Sequence, residues 1–417
     1  MQDLKNFTSK PLKNDATEQI KTTESQLAYD FTLFAKITKS EGAAALEMLQ
    51  QLSMPLNEGT TVAHVAAQYG QLALLEKLIE LGVPLDTEDN EGLTPAHHAA
   101  KFGKTAFLEK LHKQGIPLNK GNNAGITPAH VAAQYGQLAT LETLQQLGVS
   151  LDVSDNHGAK PAHYAAQHGQ LAVLEKLHKL GIPLDTGDEG GATPAYHAAQ
   201  FGQTTVLEKL HQLGIPLNVS NHQGTTLAHV AAFHRKTAVL EKLHQLGVSL
   251  NEYDNQNVTP AHIAAATGKI AVLEKLHELG VPLNMGNNAG ITPAHAAAQY
   301  GQLAVLEKLQ QLGIPLDAKS NEGSTPAHTA AHFGQIDVLE KLYHLGIPLN
   351  TEDNNGLTPA DYAAKNNQLD VLAKLLELGV IEIEVKISFS APSSFFQPVQ
   401  KNNRPVPKDE TPEHSFS

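Results

Sequence analysis

An all-α solenoid of thin, nearly identical helical layers is the fold class this sequence predicts, and three observations carry the prediction. A stretch of nineteen residues, GNNAGITPAHVAAQYGQLA from Gly121 to Ala139, returns from Gly286 to Ala304 with Val131 replaced by Ala296, an offset of 165 or five times 33. A tetrapeptide of the form Thr-Pro-Ala-His begins at Thr61, Thr94, Thr127, Lys160, Thr193, Thr226, Thr259, Thr292, Thr325 and Thr358, always 33 residues apart. A fixed period of this size marks stacked supersecondary units. Finally, 41% of the 417 residues are apolar, ample for a large core, yet only 5% are aromatic and Trp is absent. Ala, Leu, Gly and His dominate instead, which suits layers of short helices better than one thick core.

Within one unit each element has a local cause. Thr94 offers an N-cap oxygen and Pro95 a backbone angle preset for the first helical position, so a helix starts there. Ala96, Ala99 and Ala100 give it a flat face, and Gly103 ends it as a residue free to enter the left-handed region. A second helix, Thr105 to Gln114, turns Leu108 and Leu111 inward and is closed by Gly115. Ile116-Pro117-Leu118-Asn119 then runs as an extended finger, and Gly125 occupies the turn before the next Thr. Helices this short are marginal alone in water. Stacking must bury their Ala and Leu faces, and at ~8–10 Å per layer ten layers make a rod of roughly 100 Å.

The pattern Gly-x-Thr-Pro-Ala-His-x-Ala-Ala, the 33-residue period and the Gly before each finger resemble the ankyrin repeat over about Gly59 to Gly379. Two departures are Ala at the family's usual Leu in the Thr-Pro-Leu-His motif, and Pro84 with its equivalents in the fingers; neither threatens the fold. The resulting organisation is a polar N-terminal tail (1–24), an N-terminal helical capping repeat (25–58), ten repeats (59–380), and a strand-like segment with a polar tail (381–417). In the cap, Leu46-Glu47-Met48-Leu49 and Met54-Pro55-Leu56-Asn57 echo the second helix and finger, and Tyr29, Phe31, Leu33 and Phe34 replace the first-helix motif.

Composition excludes several functions. Without Cys there is no disulfide, thiolate metal site or Cys nucleophile, which fits a reducing compartment. The N-terminal residues lack a secretory apolar stretch and no window approaches a membrane span, so a soluble cytoplasmic protein is expected. A formal charge of -13 argues against general nucleic-acid binding, although protonation of all 22 His would reverse its sign. Gly103-Lys104-Thr105 resembles the end of a phosphate loop, but His98 stands where the loop needs its first Gly. No His-Glu-x-x-His, Gly-x-Ser-x-Gly or dinucleotide fingerprint is present, so neither enzyme activity nor a cofactor is expected.

The motif His recurs at His64, His97, His130, His163, His229, His262, His295 and His328. The resemblance implies a structural role, with each ring bonding the Thr hydroxyl and nearby backbone. A metal ladder fails on distance, because zinc needs ligand atoms about 3–4 Å apart and layers repeat at ~10 Å. His328 and His332 share one-turn spacing but no third ligand is evident, and no metal is expected. A second row, His112, His178, His211, His244 and His277, reads as exposed filler on the convex side, with a pH sensor as the sharper alternative. Glu76-Lys77 and its copies form acid and base rows that favour solubility and register.

Partner binding is expected where side chains vary on the constant frame. Just before the first-helix Gly runs the row Tyr69, Phe102, Tyr135, His168, Phe201, His234, Thr267, Tyr300 and Phe333, which the resemblance places on the concave groove. Rings beside Gln68, Gln134, Gln200 or Gln299 suit protein recognition; packing against the adjacent turn is the competing reading. Layer six breaks the pattern with Leu227 for Pro, Phe233 for Gln, and His234-Arg235-Lys236 for aromatic-Gly-Gln. Tyr196 replaces a motif His in layer five, and Tyr253 and Asn257 alter the next finger and turn. Two readings stand: drift in a redundant middle repeat, or a partner footprint on layers five to seven. A partner protein bound by a monomer is the expected function. The alternative resembles ankyrin-array effectors that intracellular bacteria deliver into host cells, with an export address in the tail from Ala391 to Ser417.

Overall fold

The structure, a computed structural model, describes residues 59–381. The predicted N-terminal tail and cap, and all but the first residue of the C-terminal segment, lie outside the described residues. Between them stand ten layers of paired helices with no β-strand among the described residues, where one isolated bridge joins Ser220 and Thr226. The first helices are α1 Val62–Tyr69, α3 Pro95–Lys101, α5 Pro128–Gln134, α7 Pro161–Gln167, α9 Pro194–Phe201, α11 Leu227–Phe233, α13 Pro260–Ala266, α15 Pro293–Gln299, α17 Pro326–His332 and α19 Pro359–Lys365. Their partners are α2 Leu72–Glu80, α4 Thr105–Lys113, α6 Leu138–Gln146, α8 Leu171–Lys179, α10 Thr204–Gln212, α12 Thr237–Gln245, α14 Ile270–Glu278, α16 Leu303–Gln311, α18 Ile336–His344 and α20 Leu369–Glu377.

Each helix is only seven to nine residues long, so its stability comes from its neighbours. First helices pack on the first helices of adjacent layers, second helices on second helices, and the two within a layer on each other. Long-range contact is therefore nearest-neighbour, as a one-dimensional stack requires. Ala99 and Ala100 are fully buried on first helix α3, which packs between the first helices of its two neighbouring layers. Leu108 and Leu111 are likewise fully buried between second helices, each worth about 1.5–3 kcal/mol on leaving water. The inward positions expected from sequence are thus the core positions of layers one to nine, whereas in layer ten Ala364 is exposed and Leu372 only partly buried.

The turns are built as tightly. Asp89 Oδ1 accepts the backbone N–H groups of Glu91 and Leu93, at 3.0 and 2.8 Å, and holds the hairpin before helix α3. Gly125 at φ +78° is dictated twice over, since a Cβ there would also lie 2.6 Å from the backbone nitrogen of Asn156 in the next layer. That close approach lets the Asn156 N–H donate to Ala124 O at 3.0 Å and its side chain to Asn123 O at 3.1 Å. Successive fingers are consequently tied backbone to backbone, without forming a sheet.

Candidate protein-binding surface

The motif imidazole decides how layers join. In layer two the Thr94 N–H donates to His97 Nδ1 at 3.0 Å, and the Thr94 hydroxyl lies 2.9 Å from the same nitrogen. The opposite nitrogen, Nε2, is 2.8 Å from Ile126 O in layer three. A carbonyl can only accept, so Nε2 carries the proton and Nδ1 is the acceptor. The same bond from Nε2 to the next layer's carbonyl is made by His64, His130, His163, His229, His262, His295 and His328. Burial pushes all eight rings below the ordinary histidine value, to about 4 for His97, His163 and His295. With both nitrogens engaged, these rings act as neutral struts.

Two layers depart from this scheme. Tyr196, in layer five, is packed against the core and its hydroxyl is 3.5 Å from Asn221 Nδ2. It therefore stands in the row of struts, at the motif position where the sequence places it, and not among the exposed rings. Burial beside Asp188 raises its phenol to about 12. In layer ten, Asp361 Oδ2 accepts the N–H and hydroxyl of Thr358 at 2.8 and 2.7 Å. It reproduces the bonds to its own layer and reaches no further.

A second set of side chains locks the turn to the first helix. Tyr164 donates to Asp155 at 2.7 Å and Tyr362 to Asp353 at 2.9 Å, while His197 and His98 sit 3.2 and 3.5 Å from Asp188 and Asp89. In layer two this brings His64, Asp89 and His98 within 4.8 Å of one another, a grouping of metal-ligand type. The chemistry does not fit a resident ion. His64 Nε2 already donates to Leu93 O at 2.8 Å, and its Nδ1 accepts from Thr61. In that layer His98 only approaches Asp89, without the hydrogen bond that His197, Tyr164 and Tyr362 make to their turn carboxylates.

The acid and base rows also run between layers. Lys110 pairs with Glu76 of the preceding layer at 2.9 Å, and Lys209 with Glu175 at 2.7 Å. A rim of glutamines, which sequence reasoning did not single out, does the same beside the first-helix Gly. Gln137 donates to Lys101 O at 2.9 Å, Gln170 to Gln134 O at 3.0 Å, and Gln335 to Gln299 O at 3.0 Å. The signal was present in the 33-residue recurrence of Gln itself.

Against this frame stands the variable row, at the C-terminal ends of the first helices. Phe102, Tyr135, Phe201, Tyr300 and Phe333 are each between 39% and 46% exposed, whereas Tyr69 is partly buried. Lys101 Nζ bridges two of them, 5.5 Å from the Phe102 ring centre and 5.1 Å from that of Tyr135. In layer six, Phe233 and His234 are partly buried and meet edge to face with centres 5.1 Å apart. Arg235 is exposed and holds φ +59° where most repeats have Gly. Tyr253 is exposed on the finger, and its hydroxyl donates to Gly286 O at 2.8 Å. Tyr253 is thus on the finger side of layer seven, and the structure does not bring it into the row of rings.

The profile of ankyrin repeats (3 copies) matches in overlapping windows at residues 38–122, 63–155, 97–188, 130–221, 162–254, 229–320 and 294–387. The chain belongs to the ankyrin-repeat family. The described array also aligns with the crystal structure of the human ASB11 ankyrin repeat domain at 25% identity and a TM-score of 0.46, covering 54% of this chain and 99% of that one. No curated protein sequence matches the chain significantly. Among the described residues of the ankyrin array, the repeated imidazoles are engaged at both nitrogens and form no catalytic centre. No helix among the described residues is long and apolar enough to cross a membrane.

Proposed function

We propose that the chain is a non-catalytic scaffold that binds a partner protein, as a monomer, through the row of exposed rings, the fingers and the irregular layers five to seven. The observation that carries this reading is the row itself. Phe102, Tyr135, Phe201, Tyr300 and Phe333 project from a frame whose layers are cross-bonded through imidazoles, glutamines and fingers. A frame already held in place costs little ordering on association, and aromatic side chains dominate binding energy at protein interfaces. The candidate footprint comprises Phe201, Phe233, His234, Arg235 and Tyr253, with Tyr196 beneath it as support.

The test is affinity capture with the full chain, identification of the captured protein, and repetition with Phe102, Tyr135, Tyr300 and Phe333 all changed to Ser. The expected result is loss of a specific partner while circular dichroism and the melting profile stay close to those of the parent. Retention of the same partner would overturn the role of the row.

A further inference from the structure

The row of rings leaves the chemistry of the partner open, and the rim beside it narrows that choice. At six described positions the rim residue is Gln, and its side chain lies over the Gly of the preceding layer, as Gln137 does over Gly103 and Gln335 over Gly301. Lys104 breaks this rim once, near the N-terminal end. The second break is larger. Lys236 and Lys269 occupy two successive rim positions, and Arg235 replaces the Gly between them. Lys236 lies over Gly202, where a Cβ would be 3.3 Å from its Cδ and 3.7 Å from its Nζ.

Arg235, Lys236 and Lys269 occupy the corresponding turns of the two adjoining layers six and seven. Arg235 helps push Lys269 below the ordinary lysine range, and Lys236 and Lys269 help lower His234, in each case after desolvation as the larger cause. Among the described residues no carboxylate forms an ion pair with Arg235, Lys236 or Lys269. The lysines of the neighbouring second helices, by contrast, are all matched, such as Lys242 to Glu208 at 3.2 Å. Three like charges at neighbouring positions are therefore left without an ion-pair partner among the described residues, in a chain whose formal charge is -13. Arg235 also keeps a left-handed backbone at a site where Gly would be free of strain. Phe233 and His234 supply an apolar floor immediately beside the charges.

Resting on the scaffold reading, we propose that Arg235, Lys236 and Lys269 form the docking site for an acidic peptide segment of the partner, whose carboxylates neutralise this patch. Carboxylates suit the fork of Arg235 and the point charges of the two lysines. The surrounding negative charge of the chain disfavours a polyanion long enough to leave the patch, which separates an acidic peptide from a nucleic acid.

The experiment measures fluorescence anisotropy of a labelled hexaglutamate peptide carrying one Phe, titrated with the full chain at low salt. It is repeated with the triple variant Arg235→Gly, Lys236→Gln, Lys269→Gln, which restores residues that other layers already carry and so preserves folding. The parent is expected to bind the peptide, with at least tenfold weaker binding by the triple variant and steep weakening between about 50 and 300 mM salt as charges are screened. Equal affinity of parent and variant, or no binding by either, would overturn the proposal. So would tighter binding of a labelled twelve-residue oligothymidylate. If the peptide fails while the ring-dependent partner is still captured, the scaffold reading stands and only the acidic site falls. If that partner is also retained by the ring variant, the role of the ring row falls separately, and failure of the full chain to capture any specific partner is what overturns the scaffold reading.

Discussion

Layers eight and nine are joined by every cross-layer device in the array, whereas layers six and seven keep only some of them. Between eight and nine, His295 reaches Ser324 O at 2.9 Å, Gln335 reaches Gln299 O at 3.0 Å, Lys341 pairs with Glu307 at 3.0 Å, and Asn321 bonds the preceding finger. Between six and seven, His229 still reaches Val258 O at 2.8 Å and Asn255 still bonds the preceding finger. The rim glutamine is absent, and Lys275 turns to Glu278 of its own helix at 2.6 Å, leaving Glu241 unpaired across the junction. Imidazole and finger bonds therefore suffice to set the register of the stack. Rim and charge positions are free to change, and they are where recognition can be placed without losing the fold.

Acid should remove this difference, because it attacks what both junctions share. The motif rings have folded values below 6.5, and in the unfolded chain they return to it. The unfolded state therefore binds more protons between about 4 and 6.5, so the stability contributed by these rings is complete above 6.5 and is lost as pH falls towards 4. For His97, His163 and His295 the shift to about 4 corresponds to roughly 3 kcal/mol each. Urea midpoints measured from pH 7.5 to 4.5 should fall steeply, and a flat profile would contradict the neutral-strut assignment. Next in size, His295→Ala and His229→Ala should each cost about 2–3 kcal/mol, since each orphans a carbonyl and a helix-start N–H. If the second were silent, the shared role of the imidazole would fail at layer six.

Smaller effects sharpen the contrast. Arg235→Gly should stabilise the array by about 1 kcal/mol by relieving the left-handed backbone, whereas Gly301→Arg should destabilise it by at least that amount. Gln335→Ala should cost about 1 kcal/mol, and Lys269→Gln should regain a similar amount by rebuilding the rim. Smallest, Glu307→Gln should cost about 0.5 kcal/mol or less at low salt and Glu241→Gln nothing measurable. Thermal melts of these pairs, read side by side, check the ranking.

The period made most of the fold legible. Thr94, Pro95, Gly103, Leu108 and Leu111 each act within a few residues of themselves, so their roles could be argued locally, and all five stand where that reasoning put them. What the sequence concealed lies across the 33-residue step. The Nδ1 side of His97 was foreseeable as a helix-start contact, but its Nε2 bond to Ile126 requires knowing how far apart the layers sit. The same holds for Gln137 and for the Lys110–Glu76 pair, which is a link between helices. Tyr196 is legible as a replacement for a motif His, and that position in the tetrapeptide is what packs it against the core among the struts. The pairing of Tyr164 with Asp155 was missed because eight intervening residues fold back through a turn held by the same carboxylate.

One consequence follows from the direction of the imidazole bonds. Every motif imidazole hands its proton forward and so leaves a donor for the unit after it, whereas Tyr196 of layer five accepts from Asn221 of the next layer. Asp361 is the single motif residue that asks nothing of a successor. Deleting the Asp361 unit would leave His328 pointing into water, whereas splicing a further 33-residue unit in front of it would satisfy every donor. The molecule can thus be lengthened from within at little thermodynamic penalty, and the near-identity of its third and eighth units has the form such lengthening would leave behind.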